Sequence, residues 1–216
     1  MLVRDCMTRN PITVRPSGDP LAALAVLNAG RFRHLPVTEE DGTLVGIVAR
    51  ADLELFLSQA GSPGVMKRQH RIDQVMLREV ATVTPDCPIE EAAAMMVRRK
   101  VGSLPVIEDN RVAGIITETD LFERFAAALS GSPGSVRLTV QLSDTPGQLA
   151  ELAGRIARAQ GNITSMVAFT AGEQGRQNIT LRVAGVASET LVAAVEGMEG
   201  AEVLGVLGRR DSGEGR

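Results

Sequence analysis

Two stretches decide the fold: LPVTEEDGTLVGIVARAD at residues 35–52 and LPVIEDNRVAGIITETD at residues 104–120. Each holds a Leu-Pro-Val run, an acidic turn, a second apolar run through a glycine (Gly46, Gly114) and a closing aspartate (Asp52, Asp120). The match extends outward. Met7 pairs with Met76, Thr13-Val14 with Thr82-Val83 and Pro16 with Pro85. The offset is 69 residues in front and 68 behind, so the chain carries an internal duplication with one residue lost inside.

Each copy predicts a β-α-β-β-α unit. A short β-branched strand (Ile12 to Val14; Ala81 to Val83) leads through a turn to an amphipathic helix, Pro20 to Ala29 and Pro88 to Arg99. Asp19 is placed as an N-cap with Pro20 at the first helical position. Two strands follow, Leu35 to Thr38 and Leu44 to Val48 in copy one, Leu104 to Ile107 and Val112 to Ile116 in copy two. A last helix runs over Ala51 to Leu57 and Glu118 to Ala128. One unit is too small to bury both helices, so two copies are expected to share a core.

The Gly-Ser-Pro-Gly stretch at 61–64 and Ser-Gly-Ser-Pro-Gly-Ser at 130–135 read as linkers. Beyond them the pattern changes to β-α-β-β-α-β, the order of a ferredoxin-like sandwich. Its first strand, Val136 to Leu142, alternates with Val136, Leu138, Val140 and Leu142 inward. A helix with Leu149, Leu152 and Ile156 on one face ends at Gly161, the expected left-handed residue. Strands at Ile163 to Thr170 and Gln177 to Val183 precede a helix capped by Ser188 and a closing strand, Ala201 to Leu207. The fold class is α+β, with units at 1–60, 70–129 and 135–207.

Composition narrows the function. The chain has 216 residues, with 44% hydrophobic residues but only five aromatics, all Phe. Surfaces that stack nucleic-acid bases need rings, and 23 Lys+Arg against 26 Asp+Glu gives no bulk attraction to polyanions. Cys6 and Cys87 suit neither a disulfide framework nor a metal site. With no long apolar N-terminal region and no apolar run of ~18 residues, a cytoplasmic setting off the membrane is expected. No Ser/His/Asp or Cys/His set and no phosphate loop with Lys stands in motif context, so no enzyme activity is expected.

The duplicated motif resembles that of CBS domains, and the pair resembles their tandem disc, the Bateman module. Residues 135–207 resemble an ACT domain through the element order, Asp144-x-Pro146-Gly147-x-Leu149 and Gly161-Asn162-Ile163. The combination is similar to short CBS–ACT proteins of the acetoin-utilisation (AcuB) type, which implies a regulatory role and control of acetoin or related carbon metabolism.

Thr117, at a strand end, and Asp120, three residues on, have two readings. They cap the following helix, or they meet the phosphate and ribose of an adenosine ligand. The resemblance implies the second, with ATP, ADP, AMP or S-adenosylmethionine as regulatory ligand. In copy one Asp52 remains but Ala49 replaces the hydroxyl, and Arg50 beside it offers a charge. By the same resemblance Thr13, Val14, Leu35 and Pro36, with Thr82, Val83, Leu104 and Pro105, frame the adenine. Basic residues nearby, Arg31, Arg33, His34, Arg98, Arg99 and Lys100, suit a phosphate tail or relax the helix dipole. Ser103 is a further candidate for the ligand site, while His70 is expected at the surface. ACT resemblance implies an amino-acid site at Asp144, Gly147, Asn162 and Ile163, completed by another chain, or sheet pairing alone; either makes a homodimer. A separate partner enzyme would read the ligand state.

Overall fold

The apolar alternation and helical spacing resolve, among the described residues 1–59, 70–132, 134–170 and 175–208 of a computed structural model, into six α-helices and nine strands. The proposed linker at 61–64, and the tail after 208, lie outside the described residues. Two compact units form, Met1–Glu123 and Arg124–Arg216.

In the first unit the order is β1 (Thr8–Arg9), α1 (Pro20–Gly30), β2 (His34–Thr38), β3 (Leu44–Ala49) and α2 (Arg50–Gln59). The second repeat supplies α3 (Ile89–Arg99), β4 (Ser103–Glu108), β5 (Arg111–Thr117) and α4 (Glu118–Ser130). Asp19 caps α1 by accepting the Leu21 N–H at 2.9 Å, with Pro20 at the first position. In the second repeat Pro88 holds the N-cap position and brings no side-chain bond.

The expected first strand of each repeat shrinks to one residue, Val14 beside Val37 and Val83 beside Val106. Val14 donates to the Pro36 carbonyl and accepts from the Thr38 N–H. The next rung of this parallel ladder would need an N–H from residue 36, which proline lacks. Pro105 stops the second copy in the same way.

What joins the repeats is an exchange of their lead-in segments. The turn Val3–Asp5 and strand β1 pack on the second repeat, where Thr8 lies opposite Ile115 and Arg9 opposite Gly114. Reciprocally, the turn Ile72–Gln74 packs on the first repeat, and Leu77 trades both backbone hydrogen bonds with Ile47 at 2.9 Å. Val3 and Cys6 therefore complete the core of Met96, Leu104 and Ile116. Ile72 and Met76 complete that of Leu27, Leu35 and Leu53.

The motif glycines serve this exchange. A Cβ on Gly114 would sit 2.6 Å from Met7 Sδ and 3.0 Å from the Thr8 carbonyl. On Gly46 it would sit 2.7 Å from Met76 Sδ and 3.0 Å from the Leu77 carbonyl. His70, expected at the surface, is half-buried and packs edge-on to Phe56 with ring centres 5.2 Å apart.

The second unit is a four-stranded sheet ordered β7-β8-β6-β9, from β6 (Val136–Ser143), β7 (Asn162–Thr170), β8 (Arg176–Ala184) and β9 (Ala201–Leu207). Helices α5 (Gln148–Arg158) and α6 (Ser188–Val195) join the inward Leu138, Val140 and Leu142 in one core. Three terminal details differ from expectation. The left-handed residue after α5 is Gln160, at φ +61°, while Gly161 is needed because a Cβ there would lie 2.7 Å from Val183. Ala187, not Ser188, holds the N-cap of α6. Gly147 caps α5, leaving Pro146 outside the helix, and Leu149 is exposed.

The exchange predicts that Gly114→Ala lowers the melting temperature of the first unit by several degrees, since overpacking costs about 1–3 kcal/mol. Shortening the opposing side chain with Met7→Ala should make the two effects less than additive in thermal melts.

Candidate functional site

Of the clefts in the first unit, two map onto each other by the repeat. The first, about 340 Å³, takes one wall from Pro11, Ile12 and the run from Arg31 to Pro36. Its other wall is Ile115, Thr117, Thr119 and Asp120 from the second repeat. The second cleft, about 560 Å³, sets Val80, Ala81 and the run from Arg99 to Ser103 against Ile47, Ala49 and Asp52. Each cleft is thus a composite of both repeats, a consequence of the segment exchange.

The structure gathers His34, Leu35, Pro36, Thr117 and Asp120 at the first cleft, and His34, Asp52, Arg99, Lys100 and Ser103 at the second. Thr13, Val14, Thr82, Val83, Leu104 and Pro105 line neither, and Thr82 lines instead a third cleft with Thr43, Arg78 and Asn110. Val83, Leu104 and Pro105 are buried, and Thr13 accepts a hydrogen bond from Thr38 Oγ1 at 3.2 Å. Sequence reasoning missed Thr8, Phe32, Leu77 and Glu79. The pairing of Met7 with Met76 was the available signal, because Thr8 and Leu77 follow those residues directly.

Thr117 and Asp120 form a reciprocal cap on α4. The Thr117 N–H and hydroxyl donate to Asp120 Oδ2 at 2.8 and 2.7 Å, and the Asp120 N–H donates to Thr117 Oγ1 at 3.2 Å. Among the described residues no hydrogen bond reaches Asp120 Oδ1. In the other repeat Ala49 removes this cap. Arg50 lines neither cleft; its guanidinium donates to the Leu27 and Phe32 carbonyls at the end of α1. That engagement removes it as a substitute charge for Ala49.

The cationic lips are built at a cost. Arg31 and Lys100, equivalent under the repeat, end α1 and α3 in the left-handed conformation at φ +53° and +56°. Glycine would adopt it freely, whereas other residues bear about 1–2 kcal/mol. Beside Arg31, Phe32 lays its ring over Gly30, where a Cβ would collide with the ring edge.

His34 lines both clefts. Arg33 reaches Glu118 at 3.7 Å, and a Cβ on Gly102 would meet His34 Cε1 at 3.6 Å. Burial and the Arg33 charge hold the His34 pKa below its ordinary 6.5, opposed by Asp52 and Glu118. Its counterpart Ser103 is 5% exposed, with a buried Oγ that no hydrogen-bond partner reaches among the described residues.

In the second unit Asp144 accepts from Gln177 Nε2 at 2.7 Å, and Gly147 stands open at φ +94°. Asn162 and Ile163 pair with Ala184 and Val183, at the opposite end of β8 from Gln177. One chain therefore does not bring these four residues together. Burial, with Glu91 and Glu90 nearby, raises the Cys87 thiol pKa away from the nucleophilic thiolate. Among the described residues no cluster of His, Cys, Asp and Glu could hold a metal, and no helix is long and apolar enough to cross a membrane.

Two composite clefts in a duplicated β-α-β-β-α unit, followed by a ferredoxin-like sandwich, define the architecture of a tandem regulatory module. The chain belongs to the CBS-domain family: the CBS domain model matches residues 3–58 and 72–127, and a TTHA0829-like ACT domain follows at 134–207. It is similar to the CBS-domain pair of protein MJ0100, solved in complex with 5-methylthioadenosine and S-adenosyl-L-methionine. The identity is 30% and the TM-score 0.52, over 59% of this chain and 97% of that one. A Vibrio cholerae protein bearing the acetoin-utilization name AcuB is 30% identical with a TM-score of 0.53, covering 60% of this chain and 93% of that one. The L-aspartate semialdehyde sulfurtransferase of Methanocaldococcus jannaschii is 31% identical over 57% of this chain, which spans only 23% of the enzyme's length. CBS and ACT domains are regulatory modules rather than catalytic ones.

The His34 environment predicts a pH slope. The unfolded chain binds more protons once pH falls below 6.5, so the His34 contribution destabilises the fold from there down to its lowered folded pKa. Denaturation of His34→Gln at pH 7.5 and 5.5 should show a smaller stability loss than wild type.

Proposed function

We propose that the chain is a cytoplasmic regulator whose CBS pair senses an adenosyl ligand: S-adenosylmethionine, methylthioadenosine, AMP, ADP or ATP. The observation that carries this reading is the cleft pair itself. At equivalent places both clefts keep a cation in a strained left-handed lip facing an aspartate on the other repeat. Strain retained twice at one position, where glycine would relieve it, marks a site held for use. The likeness to the MJ0100 pair supplies the ligand class.

The first cleft is the stronger of the two. Asp120 Oδ1 is available for a ribose hydroxyl while Oδ2 stays on the α4 cap, and Phe32 and Ile12 offer an apolar wall to the adenine. Arg31 and Arg33 supply local positive charge in a chain whose total is −3. In the second cleft Asp52, Arg99, Lys100 and the unpartnered Ser103 hydroxyl carry the same roles without the cap. A ligand touching walls from both repeats favours one relative arrangement of them, and a partner enzyme reads that population shift. Residues 1–60, 70–129 and 135–207 are the sensing, sensing and assembly parts. Acetoin or related carbon metabolism is the pathway we attach, on the likeness to the Vibrio cholerae protein.

One observation favours a second reading, a protein-interaction module without ligand. Thr117 and Asp120 already satisfy each other as a cap. Equilibrium titration with S-adenosylmethionine, methylthioadenosine, AMP, ADP and ATP separates the two. At least one should bind below millimolar concentration, and Asp120→Asn should weaken it by about tenfold or more, the worth of one charge-assisted hydrogen bond. Lys100→Gly should raise the melting temperature while weakening ligand at the second cleft. Absence of submillimolar binding by all five leaves the interaction module.

The ACT-like unit pairs two chains through β9, a sheet edge on which Leu204 and Leu207 are 47% and 62% exposed. Asn162 and Ile163 lie on β7 at the other edge of the sheet, so an amino-acid site completed by Asp144 and Gly147 of another chain needs a second contact there. Sedimentation should show a dimer for the full chain and a monomer for Leu204→Glu; an unchanged dimer moves the interface elsewhere.

A further inference from the structure

The sheet of the second unit has one face covered by α5 and α6, and on its other face the central strands β6 and β8 carry polar residues. Over most of that face the groups satisfy one another. Arg176 donates to Gln141 at 2.5 Å and reaches Glu202 at 3.6 Å, Gln141 donates to Asn178 at 3.3 Å, and Thr139 and Thr180 share a bond of 3.3 Å. The far end departs from this pattern. Arg137 of β6 and Arg182 of β8 stand directly opposite each other in the antiparallel register. Like charges in that position repel.

Among the described residues neither arginine has an ion-pair partner. Among those residues Arg137 donates one bond, to Thr139 at 3.1 Å, while Arg182 Nε is buried with no partner. Arg182 is also held in place. Gly131, at φ +66°, lies so close that a Cβ there would be 2.7 Å from the Arg182 Cβ and 2.8 Å from its Cγ. The turn after α4 thus presses on the aliphatic stem and fixes the direction of the guanidinium.

Both arginines line a cavity of about 340 Å³, whose described lining residues all belong to the Arg124–Arg216 unit. Leu129, Val167 and Phe169 make an apolar side, and Ser130, Ser165 and Thr180 bring hydroxyls. Phe169 is 58% exposed and lines the same cavity as the two unneutralised cations. None of Asp144, Gly147, Asn162 and Ile163 takes part.

We propose that this cavity is a separate site for a small organic anion, a carboxylate or phosphate monoester whose oxygens bridge Arg137 and Arg182 and whose apolar body lies against Leu129, Val167 and Phe169. Two guanidinium forks supply the planar donor pairs that such oxyanions accept, and a bound anion removes the cross-strand repulsion. The hydroxyls around them complete the acceptor's shell, and the volume admits a body of several carbon atoms.

The test is titration of the full-length protein with hexanoate, phenyl phosphate and inorganic phosphate, followed by calorimetry or NMR. Hexanoate or phenyl phosphate should bind with a Kd on the order of 0.1–1 mM. Arg182→Gln should weaken that binding about tenfold or more, and Arg182→Lys, which keeps charge but loses the fork, should weaken it as well. Phe169→Ser should reduce affinity for the organic anions and leave inorganic phosphate unchanged. Circular dichroism and adenosyl-ligand titration confirm that each variant is folded. Failure of both organic probes to bind wild type below about 10 mM overturns the proposal. So does equal affinity for inorganic and phenyl phosphate with no effect of Phe169→Ser, and so does binding that survives both Arg137→Gln and Arg182→Gln. A preference between hexanoate and phenyl phosphate assigns the oxyanion.

Discussion

The contact on which the first unit depends is the approach of Met7 and Thr8 to Gly114, together with its copy, Met76 and Leu77 against Gly46. Through it each repeat lends its opening segment to the other. Val3 and Ile72 reach 0% and 1% exposure only in the partner repeat's core, and burial of such a side chain is worth about 1.5–3 kcal/mol. Remove the approach and both cores open at once, because each is finished by a residue from elsewhere in the chain. The walls of the clefts follow from the same contact, since β1 brings Thr8 beside Ile115 and the mirrored segment brings Leu77 beside Ile47.

Much of this architecture was legible in the residues. The duplication, the strand and helix order, the Asp19 cap and the inward face of Val136 to Leu142 all rest on local periodicity, which the packing did not override. Glycine at 46 and 114 stands out in the motif, but nothing local says which neighbour approaches it. A perfect repeat pairs within copies or between them equally well on paper, and only the depth of Val3 and Ile72 in the opposite cores decides. The first strands were overread because the stop lies on the strand they face, at Pro36 and Pro105. Gly161 looked like a left-handed terminator, yet Gln160 bears that angle while Gly161 makes room for Val183.

The candidate site divides in the same way. Thr117 and Asp120 stood out in the motif, and their reciprocal bonds show how one pair can end a helix and still leave Asp120 Oδ1 without a bond from the described residues. Arg50 looked like a replacement charge for the missing hydroxyl at Ala49, but the carbonyls that end α1 claim it. The scarcity of rings, which argues against a surface for stacked bases, does not empty the first cleft of them: Phe32 sits on its rim, over a glycine that could be nothing larger. Positive charge behaves similarly. A chain with three more acids than bases still concentrates Arg31, Arg33, Arg99 and Lys100 at two openings.

The composite walls also constrain how such a gene can change. A cleft that belonged to one repeat could be lost or retuned while its twin stayed intact, and the duplicate would be a spare. Here a recombination that deletes one repeat leaves no cleft at all, because each surviving wall faces the space where the deleted copy stood. The two openings can drift apart only by single substitutions at matched places, as His34 against Ser103 and Thr117 against Ala49 already record. The duplication is in this sense irreversible: two copies became one heritable unit when their ends crossed over.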